Sequence, residues 1–295
     1  MTALQRHEIA LGDPRYPQQL LRVERPPAIL YCIGDTSLLS PGLAVVGSRR
    51  QTPYGRECTA LLAGRAARSG VVIISGAAVG CDQSAHRAAI DCGGRTVAVL
   101  GCGADLDYPP SARTLLQTIR RDHLVVSELP WGAPPARWTF PERNRIIAGL
   151  AAALLVVEAS LPSGTFSTAD HALHAGTEVL AVPGSILSPL SRGTNRLIRD
   201  GAGVIAEEAD LDLALSRCGL LEATQPTDHG HEIPKALSPL EAVLAASPLT
   251  VDEVAVELAC SVPDALKTLA LLELQGSVRR SADGRYRYAG GEAGR

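Results

Sequence analysis

Short apolar runs alternate with longer amphipathic ones between residues 43 and 218. Leu43–Val46, Val71–Ser75, Thr96–Leu100, Leu124–Ser127, Ala153–Glu158, Glu178–Val182 and Gly203–Ile205 are nearly continuous apolar segments of strand length, as expected of strands buried on both faces. Between most of them lie Ala-, Leu- and Arg-rich stretches of helical period, among them Glu57–Ser69, Gln83–Asp91 and Ser111–Arg121. The alternation predicts an α/β fold over residues 41–218: a Rossmann-like, doubly wound, mainly parallel sheet with helices on both faces. Residues 1–40 come before the pattern and carry Pro17, Pro26 and Pro27. The paired prolines exclude a helix, so this lead-in is expected to pack on the core with at most one short strand, Ala28–Tyr31.

Periodicity is lost over residues 219–235, where Pro, Gly and His collect, and a linker is expected there. Beyond it, Pro239–Ala246, Thr250–Leu258 and Val262–Gln275 read as helices. Ser277–Arg280, the turn Ala282-Asp283-Gly284 and Arg285–Tyr288 read as a β-hairpin. Three helices and a hairpin predict a small winged-helix domain over residues 236–290. It carries five basic and seven acidic side chains. The helix in the recognition position has only Asp264, Lys267 and Glu273 as charges, which suits packing or a protein partner better than a major groove.

Charge narrows the function classes. The net charge is −3 and the pI about 6.2, so a polyanion would have to be held by local cations and not by a global positive field. Of the 28 basic residues only Lys235 and Lys267 are lysine, and arginine suits forked phosphate contacts and stacking on bases. The seven scattered cysteines form no Cys-x-x-Cys pair, which fits a reducing cytoplasm and no zinc site. His229 and His231 lack companion ligands in the sequence, so no metal is assigned. No apolar run reaches membrane-span length and the N-terminus lacks a signal core, so a cytoplasmic chain without membrane insertion is expected.

Ligands on open parallel sheets sit beyond the carboxyl ends of the strands. That edge gathers Gly47-Ser48-Arg49-Arg50, the loop Ser75–Asp82, Gly101-Cys102-Gly103, Phe140–Arg145 and Ser163-Gly164-Thr165. Gly47 is read as a tight turn, with the following helix, opened by Tyr54-Gly55-Arg56, aiming its first N–H groups at a phosphate. The bland alternative is a simple turn with solvated arginines. Phe140 beside Arg143, Asn144 and Arg145 is the combination that single-stranded nucleic acid needs: a ring for any base and guanidinium groups for phosphates. The alternative there places Phe140 in the core and pairs Arg143 with Glu142 or Asp170. Asp82 and His86, four residues apart, are read as a helix cap and a donor to a backbone carbonyl rather than as catalysts.

From Tyr16 to Tyr288 the chain resembles the DprA (Smf) family of DNA-processing proteins. The likeness is carried by Val46-Gly47-Ser48-Arg49, Ser75-Gly76 with Gly80-x-Asp82, Gly101-x-Gly103 with Tyr108-Pro109, Phe140-Pro141-x-Arg143-Asn144-Arg145, Val157-Glu158-Ala159 with Ser163-Gly164-Thr165, Val182-Pro183-Gly184 and Gly193-x-Asn195. The resemblance implies a dimeric protein that binds single-stranded DNA in a basic pocket and loads the RecA recombinase, in natural transformation or recombination, with no catalytic residue and no cofactor. It implies that Gly47, Ser48 and Arg49 hold a phosphate, that Phe140 meets a base, and that Arg143 and Arg145 line the pocket. Arg50, Asn144, Ser163, Gly164 and Thr165 complete the candidate set. Val79 stands where many relatives carry a basic residue. Gly176–Leu190 or Leu211–Cys218 is the candidate dimer face. A nucleotide phosphoribohydrolase of the LOG type is the alternative for Ser163–Thr168, but the chain has Thr168 where that family has its glutamate, leaving no group to activate water.

Overall fold

The computed structural model describes residues 5–222, 238–281 and 284–289, in two units, residues 1–224 and 225–295. In the first unit the strands are β1 (Arg6–Ala10), β2 (Ile29–Gly34), β3 (Gly42–Val46), β4 (Ile73–Ser75), β5 (Thr96–Val99), β6 (Leu124–Ser127), β7 (Ala151–Val156), β8 (Glu178–Ala181) and β9 (Gly203–Val204). They form one sheet in the order β1-β2-β6-β5-β4-β3-β7-β8-β9. From β6 to β9 all pairings are parallel, while β2 runs antiparallel to β6 and β1 antiparallel to β2.

Successive residues of β3 feed opposite layers. Leu43 and Val45 pack with α1 (Pro53–Arg68), α2 (Cys81–Asp91) and α7 (Glu208–Arg217), whereas Ala44 and Val46 pack with α4 (Thr139–Leu150) and α5 (Thr165–His174). Both faces are therefore apolar, which is why the strands read as continuous runs. Another helix, α3 (Arg113–Asp122), covers β5 and β6 through Leu115, Leu116 and Ile119, and α6 (Arg192–Arg199) follows β8 and contributes Leu197 to the α4–α5 layer.

The lead-in differs from its expectation. It supplies two strands, not one, and extends the sheet at its edge. β1 escaped notice because only Ile9 of its five residues is buried, so the period-2 alternation that marks a strand is almost invisible in Arg-His-Glu-Ile-Ala. Behind the sheet, Tyr16, Leu20 and Val23 pack towards α4. Most of the expected linker, with His229 and His231, lies outside the described residues; Leu220 and Leu221 still pack on the α1–α2–α7 layer.

The second unit has α8 (Pro239–Ala246), α9 (Val251–Glu257), α10 (Val262–Leu274) and the antiparallel pair β10 (Val278–Arg280) and β11 (Tyr286–Tyr288), the winged-helix arrangement. Residues 282 and 283 of the turn lie outside the described residues. Leu240, Leu244, Val254, Ala265, Leu269, Val278 and Tyr286 form its core. Capping boxes start α8 (Ser238 with Glu241) and α9 (Thr250 with Glu253).

Candidate functional site

The strand order reverses between β3 and β7, the two strands from which the sheet winds outward in opposite directions. A groove of about 690 Å³ opens beyond their carboxyl ends, at the switch point where such sheets hold ligands. Its walls come from the loop after β3, the start of α2, one side of α4 and the segment after β7.

The loop after β3 is held tightly. Gly47 has no room for a side chain: a Cβ there would lie 2.6 Å from Cys81 Sγ. Close packing against α2 therefore requires this glycine, which is not among the positive-φ positions, and the tight-turn reading gives way to that one. The Cys81 N–H donates to the Ser48 carbonyl (3.2 Å) and the Arg50 N–H to Ser48 Oγ (3.1 Å). With the backbone so fixed, the Arg49 and Arg50 side chains stand exposed. Neither forms a salt bridge among the described residues.

The head of α1 does not meet the groove as expected. Thr52 caps it, its hydroxyl oxygen accepting from the Gly55 N–H (3.0 Å). The Thr52 N–H donates to Glu158 Oε2 (2.9 Å) and its hydroxyl donates to Glu158 Oε1. Glu158, next to the end of β7 and only 2% exposed, places a carboxylate where a phosphate was expected.

α4 divides the arginines that the sequence places side by side. Phe140, Arg143, Asn144 and Ile147 line the groove; Arg145 does not. At 3.6 residues per turn, side chains two apart on a helix point to opposed sides, so Arg143 and Arg145 cannot both face one cavity. Arg145 is 6% exposed, binds Glu128 through both carboxylate oxygens (2.8 and 2.6 Å), and donates from Nε to the Arg25 carbonyl (2.9 Å). That assignment is corrected: Arg145 clamps the lead-in to the back of α4. Arg143 reaches the groove floor with its guanidinium buried, donating to the carbonyls of Gly76 (2.7 Å) and Val99. It pairs with neither Glu142 nor Asp170: Glu142 binds Arg25 (3.0 Å), and the nearby carboxylate is Asp82. Burial pushes the Asp82 carboxyl upward, against the Arg143 charge and the N–H groups of Ala78 and Gly76.

Phe140 is half-buried, neither sealed in the core nor open. The Tyr108 ring lies 5.6 Å away at 31°, and the Arg49 guanidinium 6.0 Å from the Phe140 centroid. Between them a second cavity of about 140 Å³, with Val79 at its wall, adjoins the groove and shares Arg49, Ala78, Phe140 and Arg143 with it. The Thr139 hydroxyl donates to the Gly101 carbonyl (2.5 Å), fixing the start of α4 to the end of β5. Across the groove Ser163, Gly164 and Thr165 take their expected places, joined by Ser160, Ser167, Thr168 and Leu190, none of which was a candidate. Thr168 belongs to the Thr168-Ala169 pair of the family resemblance and stands at the position of the missing glutamate. Leu190 gave no signal, since its place depends on a long-range bond from the Ala159 N–H to its carbonyl (2.8 Å).

His86 also differs in detail. Its Nδ1 meets the Thr96 hydroxyl (2.7 Å), which donates onward to the Ile73 carbonyl (2.8 Å), so the imidazole reaches a backbone carbonyl only through Thr96. Burial, then the Arg143 charge, pushes its pKa down to about 3. Asp82 binds the Ala78 N–H (3.3 Å) ahead of α2 and holds the Ser75–Asp82 loop. Among the described residues no group of three His, Cys, Asp or Glu side chains is placed to hold a metal ion.

Comparison with known proteins agrees along most of the chain. The family model for DNA recombination-mediator protein A matches residues 7–215, and that for the DprA winged helix domain matches residues 225–284. Protein Smf of Synechocystis sp. is 35% identical over 310 residues, covering 93% of this chain and 78% of that protein. The X-ray structure of DprA from Streptococcus pneumoniae superposes with a TM-score of 0.67 at 38% identity, over 72% of this chain and 74% of the other. DprA from Helicobacter pylori, whose structure was determined for its single-stranded DNA binding mode, superposes with a TM-score of 0.66 at 30% identity, over 73% of this chain and 98% of the other. Since the matches run through both units, at residues 7–215 and 225–284, the chain belongs to the DNA recombination-mediator protein A (DprA) family.

Proposed function

We propose that the groove binds single-stranded DNA, and that the chain, as a homodimer in the cytoplasm, loads the RecA recombinase onto that DNA in natural transformation or homologous recombination, without catalysis of its own. The observation that carries this reading is the exposed Arg49 and Arg50 pair at the switch-point groove, beside the Phe140 ring. Guanidinium groups suited to phosphates next to a ring suited to any base form a platform that does not read sequence. The H. pylori relative, described by its single-stranded DNA binding mode, supports the same ligand. Against hydrolysis, Asp82 is the one carboxylate among the described lining residues, and it is bound to backbone N–H groups of its own loop. For self-association and for RecA the support is family membership, together with exposed apolar side chains at Ile186, Leu187 and Leu213 within the stretches expected to form a dimer face.

A gel shift with equal lengths of single- and double-stranded DNA, with and without RecA, tests the proposal. Single strands are expected to shift at lower protein concentration than duplex, and RecA to join the complex. Equal affinity for duplex would overturn the DNA part, and a complex that never recruits RecA the loading part.

A further inference from the structure

The head of α1 is the place where a Rossmann-like sheet ordinarily receives a phosphate, because the first N–H groups of the helix and its positive dipole end converge there. In this chain that place holds a side chain. Glu158 lies at the end of β7, across the switch point, and is 2% exposed. One carboxylate oxygen takes the Thr52 N–H at 2.9 Å and the other takes the Thr52 hydroxyl. Gly55, in the first turn of α1, has no space for a Cβ because the same carboxylate fills it. The charge, the oxygen acceptors and the position are those of a bound anion, supplied by the protein.

A carboxylate sealed from water is costly unless compensated, and here the compensation is two donors from Thr52 and the dipole of a 16-residue helix. Thr52 is two residues from Arg50, so the group that anchors Thr52 also fixes where the Ser48–Arg50 loop ends. We propose that Glu158 is a built-in anion with two effects: it closes the head of α1 to the phosphates of free nucleotides, and it sets the loop so that Arg49 and Arg50 are the cations left to meet phosphate. The first effect does not depend on the groove binding DNA; the second rests on that reading. Glu158 acts through Thr52 and is a positioning residue, which also makes this chain a poor host for the nucleotides that related sheet topologies bind.

Chemical rescue separates this role from ordinary packing. Full-length wild-type protein and Glu158→Ala are heated in rising inorganic phosphate, with sodium chloride of matched ionic strength as control. Truncation leaves the two Thr52 donors and the helix end facing a carboxylate-sized gap, so phosphate, relative to chloride, is expected to raise the Tm of Glu158→Ala by several degrees more than it raises that of the wild type. Equal responses of the two proteins to phosphate would overturn the proposal. Glu158→Gln, which keeps the size and loses the charge, provides the second arm should Glu158→Ala not fold: a Tm below wild type with no phosphate rescue is expected, and a wild-type Tm overturns the proposal. Single-stranded DNA binding measured on the same proteins keeps the two readings apart. Wild type that binds no DNA sinks the DNA groove and leaves the phosphate result standing, whereas rescue that fails while wild type binds DNA sinks only Glu158.

Discussion

Two short segments carry the arginines expected at this edge, and the fold uses them in opposite ways. After β3, Arg49 and Arg50 lie on a loop whose backbone is fixed from below and whose side chains are exposed. On α4, Arg143 and Arg145 are 5% and 6% exposed and bind carbonyls and a carboxylate. The difference lies in what each segment leaves unsatisfied. Strands that stop at a sheet edge leave carbonyls without partners, and Arg143 supplies donors to those of Gly76 and Val99. The loop has no such debt, because Ser48 and Cys81 already satisfy it. Four arginines in sequence therefore amount to two exposed cations at the groove, one floor and one clamp.

The sharpest way to break this contrast is Arg143→Ala. Leaving two carbonyls and Asp82 without their buried cation is expected to cost about 3–5 kcal/mol of stability, read from denaturant midpoints, with Arg145→Ala costing less because Glu128 keeps more access to water. Full stability in Arg143→Ala together with lost DNA binding would reverse the assignment. Next in size, replacing Arg49 and Arg50 together by Ala is expected to weaken single-stranded DNA binding roughly tenfold or more. It should also lower the salt slope by about 1.4 and leave the melting curve in place. A titration by fluorescence anisotropy at several salt concentrations reads both; an unchanged slope removes these two residues from the interface.

The smallest expected effect sharpens the picture of the floor. The unfolded chain takes up a proton at His86 near pH 6.5, whereas the folded chain resists it down to about 3. Protonation thus favours unfolding as pH falls through that window, and the stability contributed by neutral His86, intact above pH 6.5, is lost at up to about 1.4 kcal/mol per pH unit. Because the Arg143 charge is part of the cause, Arg143→Ala should let this acid slope level off at a higher pH, while the Arg49 and Arg50 replacements leave it alone. Denaturant melts in small steps from neutral pH down towards the folded pKa make the comparison; a slope that levels off at the same pH in all variants would show that Arg143 is not felt at His86.

What could be read in the sequence follows the same physics. Strands β3 to β8 announced themselves because nearly every position is buried and most are apolar, and the winged-helix unit because three helical stretches precede a hairpin. β1 was hidden because an edge strand buries little. At the site, short-range chemistry was legible: Ser48, Arg49, Phe140 and Ser163–Thr165 stand on one groove. Arg145 was misplaced because direction on a helix depends on where the helix begins, and Thr139 sets that start only through its bond to Gly101. Glu158 reads as part of a motif, yet its partner Thr52 is 106 residues away, a pairing no local pattern contains.

The first forty residues have a mechanical consequence. Arg145 holds the Arg25 carbonyl, Arg25 holds Glu142, and Leu20 and Val23 press where Gly149 leaves space. All of these contacts fall on the reverse side of the helix whose front side presents Phe140. The lead-in is thus a backstop: whatever pries it away, whether truncation, protease or a partner that grips it, withdraws support from behind the aromatic ring without touching the groove.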